Sequence, residues 1–252
     1  MIIKKLNGLS YFCFEKLSEF SEIKHGVFTR KGGVSSGVCE GLNVGIVPED
    51  YDRNVAKNRE LILKEFKGDY VVSTKQTHSK VIFIAKKELD TGKGIEADAS
   101  ITDQKGALLL IKTADCQAVI LYDPVKKVIG NIHSGWRGSV ANIIGETVSS
   151  MVKEFGSNPE NIIACIGPSL GPCCAEFKNY RDEIPEIYWN YHTENNHFDF
   201  WSISFDQLID SGVPEENIES SDICTKCNPD LFYSYRYEKN TGRFGTAVML
   251  KE

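Results

Sequence analysis

Apolar positions between residues 140 and 155 repeat at the 3.6-residue spacing of an α-helix, with seven of them on one helical face. Ser139 comes just before this face and is the candidate N-cap, while Gly156 and Pro159 are expected to end the helix. A second helix is predicted over residues 52–67, entered through a polar segment and followed by a glycine.

The other apolar residues occur in short runs that are rich in β-branched and aromatic side chains, which is typical of strands. Consecutive runs are joined by short turns, so strict alternation of strands and helices is not expected. We therefore predict an α+β fold with antiparallel or mixed sheets. Because no linker divides the sequence, we expect one domain over residues 1–252. The predicted strands cover residues 70–74, 80–85, 106–111, 117–122, 127–132, 161–166 and 244–250, with a short helix near 204–211.

The turn between two of these strands has the sequence Asp-Pro-Val-Lys at residues 123–126. Proline is favoured at the second position of such a turn. If Pro124 and Val125 form the loop, Cys116 lies directly opposite His133, with Cβ atoms about 4.5–5.5 Å apart. A thiol and an imidazole at that distance form a nucleophile–base pair, two ligands of one metal ion, or a buried cysteine beside a structural histidine.

Two further segments are candidates for binding an anion. In residues 133–138, glycines bracket a tryptophan and Arg137 just before the predicted helix, where free backbone amides and a guanidinium can hold a phosphate. Near the N-terminus, Arg30 and Lys31 are followed by two glycines. The alternatives are an ordinary strand-to-helix turn in the first case and a solvated turn in the second.

His78 lies in a turn that leads into the predicted strand at 80–85. A histidine there is usually only a polar turn residue. If the fold brings His78 to Cys116 and His133, the three side chains would supply three ligands of a tetrahedral zinc and leave the fourth position open. The separation along the chain is too long for the sequence alone to establish that closure.

Eight cysteines without regular spacing do not suggest a disulfide framework. Cys224 and Cys227 form one C-x-x-C motif, but a zinc ribbon needs a second such pair, and the adjacent Cys173 and Cys174 do not provide it. We expect these four to be packed or oxidation-sensitive thiols, with a second metal site as the alternative.

The composition and charge of the chain argue against several classes of protein function. The chain has 29 basic and 35 acidic residues and a net charge of −6, which argues against proteins that bind nucleic acid or anionic membranes through positive charge. No run approaches the roughly 18 apolar residues of a spanning helix, and the N-terminus has no secretory pattern. A soluble, cytoplasmic protein, monomeric or homodimeric, is therefore expected.

Several segments together resemble one family, the laccase-domain (YfiH-like) proteins, which are described as polyphenol oxidases or purine nucleoside phosphorylases. The matching segments run through nearly the whole chain in order, and a TADC motif followed seventeen residues later by H-x-GWRG is specific. The segments are FTRKGGVSSG at 28–37, KQTH at 75–78, EADASIT at 96–102, TADC at 113–116, HSGWRG at 133–138, IGPSLGPCC at 166–174, ICTKCNPDLFYSYRYE at 223–238 and TGRFGTAV at 241–248.

The resemblance implies a single-domain, four-layer α-β-β-α sandwich with one zinc bound by His78, Cys116 and His133, which would also be the catalytic residues. It implies phosphorolysis of adenosine, inosine and methylthioadenosine, with adenosine deamination at the same site. The partners would then be purine nucleosides and phosphate, with no nucleic acid or membrane. Arg137 is the predicted phosphate contact, and Arg30 is the second candidate.

Three other functions stay open at this point. A copper-dependent polyphenol oxidase of the laccase type needs many histidine ligands, whereas this chain has five histidines in total, although copper can replace zinc at a single site. A cysteine amidase that edits peptidoglycan precursors would use Cys116 as nucleophile and His133 as base, with Asp98 or Asp115 orienting the imidazole. A zinc-stabilised interaction module would need a closed four-ligand site.

Overall fold

The structure, a computed structural model, describes residues 1–87 and 90–252. Within these ranges the chain forms twelve strands and seven α-helices, joined by several short 3₁₀ turns. The strands are β1 (Ile2–Leu6), β2 (Leu9–Cys13), β3 (Ile23–Phe28), β4 (Tyr70–Val72), β5 (Ile82–Ile84), β6 (Ala99–Thr102), β7 (Ala107–Thr113), β8 (Gln117–Asp123), β9 (Val128–Ser134), β10 (Ile163–Ile166), β11 (Ile218–Ser220) and β12 (Phe244–Leu250). The helices are α1 (Glu15–Ser18), α2 (Asp52–Phe66), α3 (Trp136–Val140), α4 (Ile143–Phe155), α5 (Tyr180–Glu183), α6 (Phe200–Asp210) and α7 (Tyr235–Glu238).

The strands build two six-stranded mixed sheets. The first has the order β1-β2-β3-β12-β7-β4, and the second has the order β11-β10-β8-β9-β6-β5. Most neighbours are antiparallel, whereas β4 and β7, β5 and β6, and β10 and β11 run parallel. The predicted α+β class with mixed sheets is therefore confirmed.

Alternating side chains of the central strands explain how the layers stack. Leu108 and Leu110 of β7 pack on the side that α2 covers, whereas Leu109 faces the second sheet. Because both faces of these strands are buried, their sequences are continuously apolar rather than alternating.

The second sheet is covered in the same way on its outer side. Val119 and Leu121 of β8 pack in one cluster with residues of α4 and α6, and Ile120 and Tyr122 lie in the cluster between the two sheets. The resulting order of layers is α2, first sheet, second sheet, then α4 with α6, which confirms the four-layer sandwich.

The helix predicted from residue 139 onward is interrupted. Asn142 adopts a left-handed conformation (φ 56°) and its side chain accepts a hydrogen bond from the Gly145 amide, so Asn142 rather than Ser139 caps α4. Ser139 lies inside the short α3. The predicted end is confirmed, because α4 stops at Gly156 in a left-handed conformation (φ 70°).

Among the helices in the described part of the chain, none has both the length and the apolar character needed to cross a membrane.

Candidate functional site

A large cavity of about 1170 Å³ is lined by the candidate metal ligands. Its wall includes the loop after β4, the junction of β7 and β8, the end of β9, and loops near residues 169–179 and 235–243. These segments are far apart in the sequence, and the two sheets bring them together.

His78, Cys116 and His133 all line this cavity, and one ligand atom from each lies within 4.8 Å of the others. The Cys116 Sγ is 3.9 Å from the His78 Nε2. His78 is exposed, Cys116 is partly buried and His133 is buried, so the group sits at the floor of the cavity with one side open. The closure that the sequence alone could not establish is present in the structure.

The predicted register of the β8–β9 hairpin is wrong by two residues. Ala118, rather than Cys116, lies opposite His133. The loop has four residues because Lys127 takes a left-handed conformation (φ 56°), and Asp123 accepts hydrogen bonds from two amides of the loop. Because side chains alternate between the two faces of a sheet, a shift of two residues leaves Cys116 and His133 on the same face. The two residues are therefore diagonal neighbours instead of directly opposed.

Asp98 holds His133 in place. Its Oδ1 lies 2.7 Å from the His133 Nδ1, so Nε2 remains as the second nitrogen of that ring. The same carboxylate accepts from the amides of Thr77, His78 and Ser79 and from the Ser79 hydroxyl, and it is fully buried. Asp98 therefore fixes two of the three donors at once. Of the two carboxylates considered from the sequence, Asp98 is the one that contacts the imidazole.

The site favours a charged thiolate–imidazolium pair. Burial raises the pKa of the Cys116 thiol, but attraction to His133 and hydrogen bonds from His133 and His78 outweigh it and bring this pKa to about 6. Burial lowers the pKa of His133, but the Cys116 thiolate and the Asp98 carboxylate outweigh it and raise this pKa to about 9. A deprotonated cysteine is the form that binds metals and attacks carbonyl groups.

Gly135 is required by the closeness of the donors. A Cβ atom on this residue would lie 2.6 Å from the His78 Cδ2 and 3.1 Å from the Cys116 Sγ. Its φ of −73° is ordinary, so the requirement is one of space and not of backbone conformation.

The donor set fits zinc. Ideal Zn–N and Zn–S bonds of about 2.0 and 2.3 Å place tetrahedral N and S ligands about 3.5 Å apart, close to the 3.9 Å separation of the His78 Nε2 and the Cys116 Sγ. Two imidazoles and one thiolate leave a fourth position towards the cavity, as catalytic zinc sites do. The Asp98–His133 contact is the carboxylate–histidine pair common around such sites.

Arg30 and Arg137 are not among the described residues that line the cavity. Arg30 forms an ion pair with Glu238 (2.8 Å), and its guanidinium carbon lies 4.5 Å from the centroid of the Tyr233 ring. Arg137 is exposed and stacks on Trp136 at 4.2 Å. Their roles in substrate binding stay predictions.

Seven basic residues line the cavity, and we call three of them the basic corner: Arg59, Lys112 and Arg243. Two of them meet at the segment 43–45. The Arg59 Nε donates to the Val44 carbonyl, and the stem of Arg243 packs so closely on Gly45 that a Cβ there would lie 2.4 Å from its Cγ.

Lys112 of β7 completes the corner. Its ammonium donates to the Ser73 hydroxyl (3.0 Å) and the Thr74 carbonyl (2.6 Å), both of which are neutral acceptors. Burial and then repulsion from Arg59 lower the pKa of Lys112 to about 7. An anion placed here would relieve this repulsion and favour the charged lysine. No sequence motif indicates the corner, since its members come from a helix, a strand and a loop.

Aromatic side chains form another part of the cavity wall, namely Trp136, Phe177, Phe200 and Tyr235. The Phe177 ring lies edge-on to Trp136 (6.0 Å between centroids) and 5.3 Å from Phe200. Such a surface suits a flat heteroaromatic ligand.

The other three histidines lie outside this group. His25 is buried and accepts a hydrogen bond from the Phe14 amide. His192 packs against Tyr180, and His197 contacts a backbone carbonyl. Among the described residues, two histidines therefore converge on a possible metal position.

Comparison with known proteins agrees with the fold and the motifs. Residues 24–251 match the family model described as multi-copper polyphenol oxidoreductase laccase. The purine nucleoside phosphorylase YlmD of Bacillus subtilis is 34% identical over 250 residues, which cover 92% of this chain and 90% of that protein. A purine nucleoside phosphorylase of Bacteroides thetaiotaomicron is 32% identical and covers 94% and 95%. The crystal structure of YlmD from Geobacillus stearothermophilus has a TM-score of 0.87 at 27% identity, covering 99% of this chain and 98% of that one. This chain belongs to the laccase-like YfiH/YlmD family.

Proposed function

We propose that this protein is a zinc-dependent purine nucleoside phosphorylase that acts on adenosine, inosine and methylthioadenosine. The observation that carries the proposal is that one cavity holds the three converging donors, an aromatic wall and the basic corner. A nucleoside and a phosphate ion can therefore occupy it together. Relatives named purine nucleoside phosphorylase support the proposal.

The metal ligands in this proposal are His78, Cys116 and His133. A zinc ion bound there would act as a Lewis acid and lower the pKa of a bound water to about 7. Asp98 keeps the His133 ring oriented, so that the nitrogen left free by Asp98 points at the metal position.

Phosphate is the second substrate. In phosphorolysis a phosphate oxygen forms a bond to C1′ of the ribose while the C1′–N9 bond breaks. The electron pair and then a proton go to the departing purine. We assign phosphate to the basic corner, because its charges line the cavity, while the aromatic wall receives the purine. Arg137 and Arg30, predicted from the sequence, are the competing assignments.

Adenosine deamination at the same site is the finer part of the proposal. Deamination needs water and no phosphate, so it should depend on His78, Cys116 and His133 but not on the basic corner. Copper in place of zinc would use the same three ligands, since copper has the higher intrinsic affinity for such sites.

One observation favours a second candidate, a cysteine amidase. Cys116, His133 and Asp98 follow one another as a nucleophile, a base and an orienting carboxylate, and the Cys116 pKa is about 6. Such an enzyme would cleave an amide of a peptidoglycan precursor without metal.

The test is to incubate the purified protein with adenosine or inosine, with and without phosphate, and to separate the products by chromatography. Phosphate-dependent release of free base and ribose 1-phosphate is expected. Inosine formed from adenosine without phosphate would demonstrate the deaminase activity. If neither product forms and a muramyl-amino-acid precursor is cleaved only when Cys116 is present, the amidase is the correct function.

A further inference from the structure

Four cysteines outside the cavity's donor group gather at one place on the surface. Their sulfur atoms all lie within 4.8 Å of one another. The Cys227 Sγ is 3.8 Å from the Cys173 Sγ and 3.6 Å from the Cys174 Sγ. Cys224 is buried, and the other three are partly or fully exposed.

These separations match a tetrahedral metal site. With Zn–S bonds of about 2.3 Å, the sulfurs of a tetrahedral Cys₄ site are about 3.8 Å apart. A disulfide would need two of them about 2.05 Å apart, much closer than the 3.6 and 3.8 Å that separate the Cys227 Sγ from its two neighbours. Four thiolates in a tetrahedron select zinc or an iron–sulfur cluster among the common metal centres.

The backbone explains how two adjacent cysteines can both face one ion. The chain turns at Gly171, whose carbonyl accepts from the amides of Cys174 (2.9 Å) and Ala175 (3.0 Å). In a strand, neighbouring side chains point to opposite faces, but in this turn Cys173 and Cys174 converge. Their adjacency in the sequence therefore does not prevent both side chains from facing one ion.

A backbone amide is also placed to stabilise a thiolate. The Gly171 amide donates to the Cys224 Sγ at 3.3 Å. Gly171 has no room for a side chain, because a Cβ would lie 2.9 Å from the Trp201 ring and 3.1 Å from the Cys224 Cβ. A neutral thiol is a weak acceptor, whereas hydrogen-bond donors of this kind are common around metal ligands.

We propose that Cys173, Cys174, Cys224 and Cys227 bind one structural zinc ion, separate from the metal in the cavity. Binding would release the protons of those cysteines that are still thiols and leave a complex with net charge −2. The Gly171 amide, which donates to the Cys224 Sγ, partly offsets this charge. Because all four positions around the ion are filled by protein, the site has no place for a substrate.

The proposed zinc would also stabilise the part of the cavity wall next to Cys116. Thr225, between two of the ligands, donates from its hydroxyl to the Asp115 Oδ1 (2.7 Å), and the Arg236 amide donates to the Asp115 Oδ2 (2.6 Å). The Arg236 guanidinium reaches back to the Cys174 carbonyl (3.1 Å). Asp115 has a φ of 90°, rare for a residue other than glycine, and directly precedes Cys116. The ion would therefore support the strained turn that presents Cys116.

Metal analysis of protein purified without added metal tests the proposal. We expect two zinc ions per chain in the wild type. Cys227→Ser should lose the zinc of the four-cysteine group and keep the zinc in the cavity. Cys116→Ala should lose the cavity zinc and keep the zinc of the four-cysteine group, so that each variant binds one ion. Cys39→Ser, which changes a buried cysteine outside both groups, should keep two.

Replacing zinc with cobalt shows which of the two metal sites a variant retains. In the Cys116→Ala background, Co²⁺ should give the strong thiolate-to-cobalt charge-transfer absorption of a site with four sulfurs, and Cys227→Ser should weaken it. If Cys227→Ser does not fold, Cys227→His offers a Cys₃His ligand set and should keep the ion with reduced sulfur absorption.

Three results would overturn the proposal. The first is a Cys227→Ser protein that folds and binds as much metal as the wild type. The second is a disulfide among these cysteines, detected by mass spectrometry after alkylation of the native protein. The third is visible absorption with acid-labile sulfide, which would mean an iron–sulfur cluster. None of the measurements uses catalytic activity, so they stand apart from the proposed phosphorylase function.

Discussion

The Asp98 Oδ1 lies 2.7 Å from the His133 Nδ1, and the same buried carboxylate accepts hydrogen bonds from the loop that carries His78. One side chain thus positions two of the three proposed metal ligands. The pKa of Asp98 is held well below its usual range. Burial raises this pKa, but the contact with His133 and the hydrogen bonds from Ser79 outweigh burial. Asp98 is therefore charged when it meets the histidine.

Replacing Asp98 with Asn should weaken metal binding, although Asp98 is not itself one of the proposed ligands. The amide keeps the size of the carboxylate but loses its charge and half of its acceptor capacity. Loss of such a partner typically lowers metal affinity by about 10–100-fold. Competition with a chromophoric chelator measures the change.

Asp123→Asn is the matched control for this substitution. Asp123 is an equally buried aspartate in the same sheet, at the turn end of β8, where its carboxylate accepts from the amides of Val125 and Lys126. It should destabilise the hairpin and leave metal affinity unchanged. Equal losses of affinity in the two variants would show that Asp98 acts only through stability.

Gly135→Ala should remove the cavity metal without unfolding the protein. The added Cβ would lie 2.6 Å from the His78 ring, so His78 and Cys116 must move apart. Gly138→Ala, three residues further on, meets nothing closer than 3.4 Å and should keep the metal. Metal content and thermal unfolding of both variants test this expectation, which fails if Gly135→Ala keeps full occupancy.

The hairpin shows how far the sequence could predict this site. The alternation of side chains along the two strands was enough to place Cys116 and His133 on one sheet face. The left-handed Lys127 lengthens the loop and shifts the register by two residues, which preserves this face. A positive φ at lysine has no signal in the sequence. The same holds for Asn142, whose left-handed conformation interrupts the helix.

Contacts between distant segments were the part that the sequence could not predict. The sequence left Asp98 and Asp115 as alternatives for orienting the imidazole, because the contact of Asp98 with His133 depends on the pairing of β6 with β9, which no local pattern encodes. The basic corner and the four-cysteine group likewise depend on loops that only the two sheets bring together. The apolar runs at residues 106–111 and 117–122, in contrast, were enough to predict β7 and β8 as strands.

Lys112→Met should impair phosphorolysis by weakening the interaction of the protein with phosphate. Removing a charged contact to an anion costs about 1.5–3 kcal/mol, or roughly 10- to 150-fold in kcat/KM for phosphate. Deamination of adenosine should change little. Lys75→Met is the control, because Lys75 also lines the cavity but is exposed and paired with Glu96.

Arg137→Ala decides between the two assignments of the phosphate contact. Arg137 is exposed and outside the cavity wall, so the basic corner predicts a small effect on the phosphate-dependent rate. A loss as large as that of Lys112→Met, confined to phosphorolysis, would instead support the assignment made from the sequence.

His25 should make stability depend on pH in the acid range. Burial, followed by repulsion from Lys4, lowers its pKa from 6.5 to about 4, so the folded protein keeps it neutral while the unfolded chain takes up a proton. The stabilisation is complete above about pH 6.5 and is lost as the pH falls to about 4, by up to about 3 kcal/mol.

Denaturant unfolding of wild type and His25→Gln between pH 4 and 7 measures this contribution. The variant loses a ring nitrogen that accepts from the Phe14 amide, so it should be less stable at pH 7. The difference between the two proteins should shrink towards pH 4. A difference that stays constant over this range would mean that His25 does not titrate as described.

The central claim, that phosphate attacks the nucleoside in this cavity, is tested most directly with inosine and phosphate labelled with ¹⁸O at every oxygen. Phosphorolysis predicts ribose 1-phosphate that retains all of the label, because the new bond joins C1′ to a phosphate oxygen, and predicts none of this product with Cys116→Ala. Free ribose without ribose 1-phosphate, or equal base release without phosphate, would contradict the account.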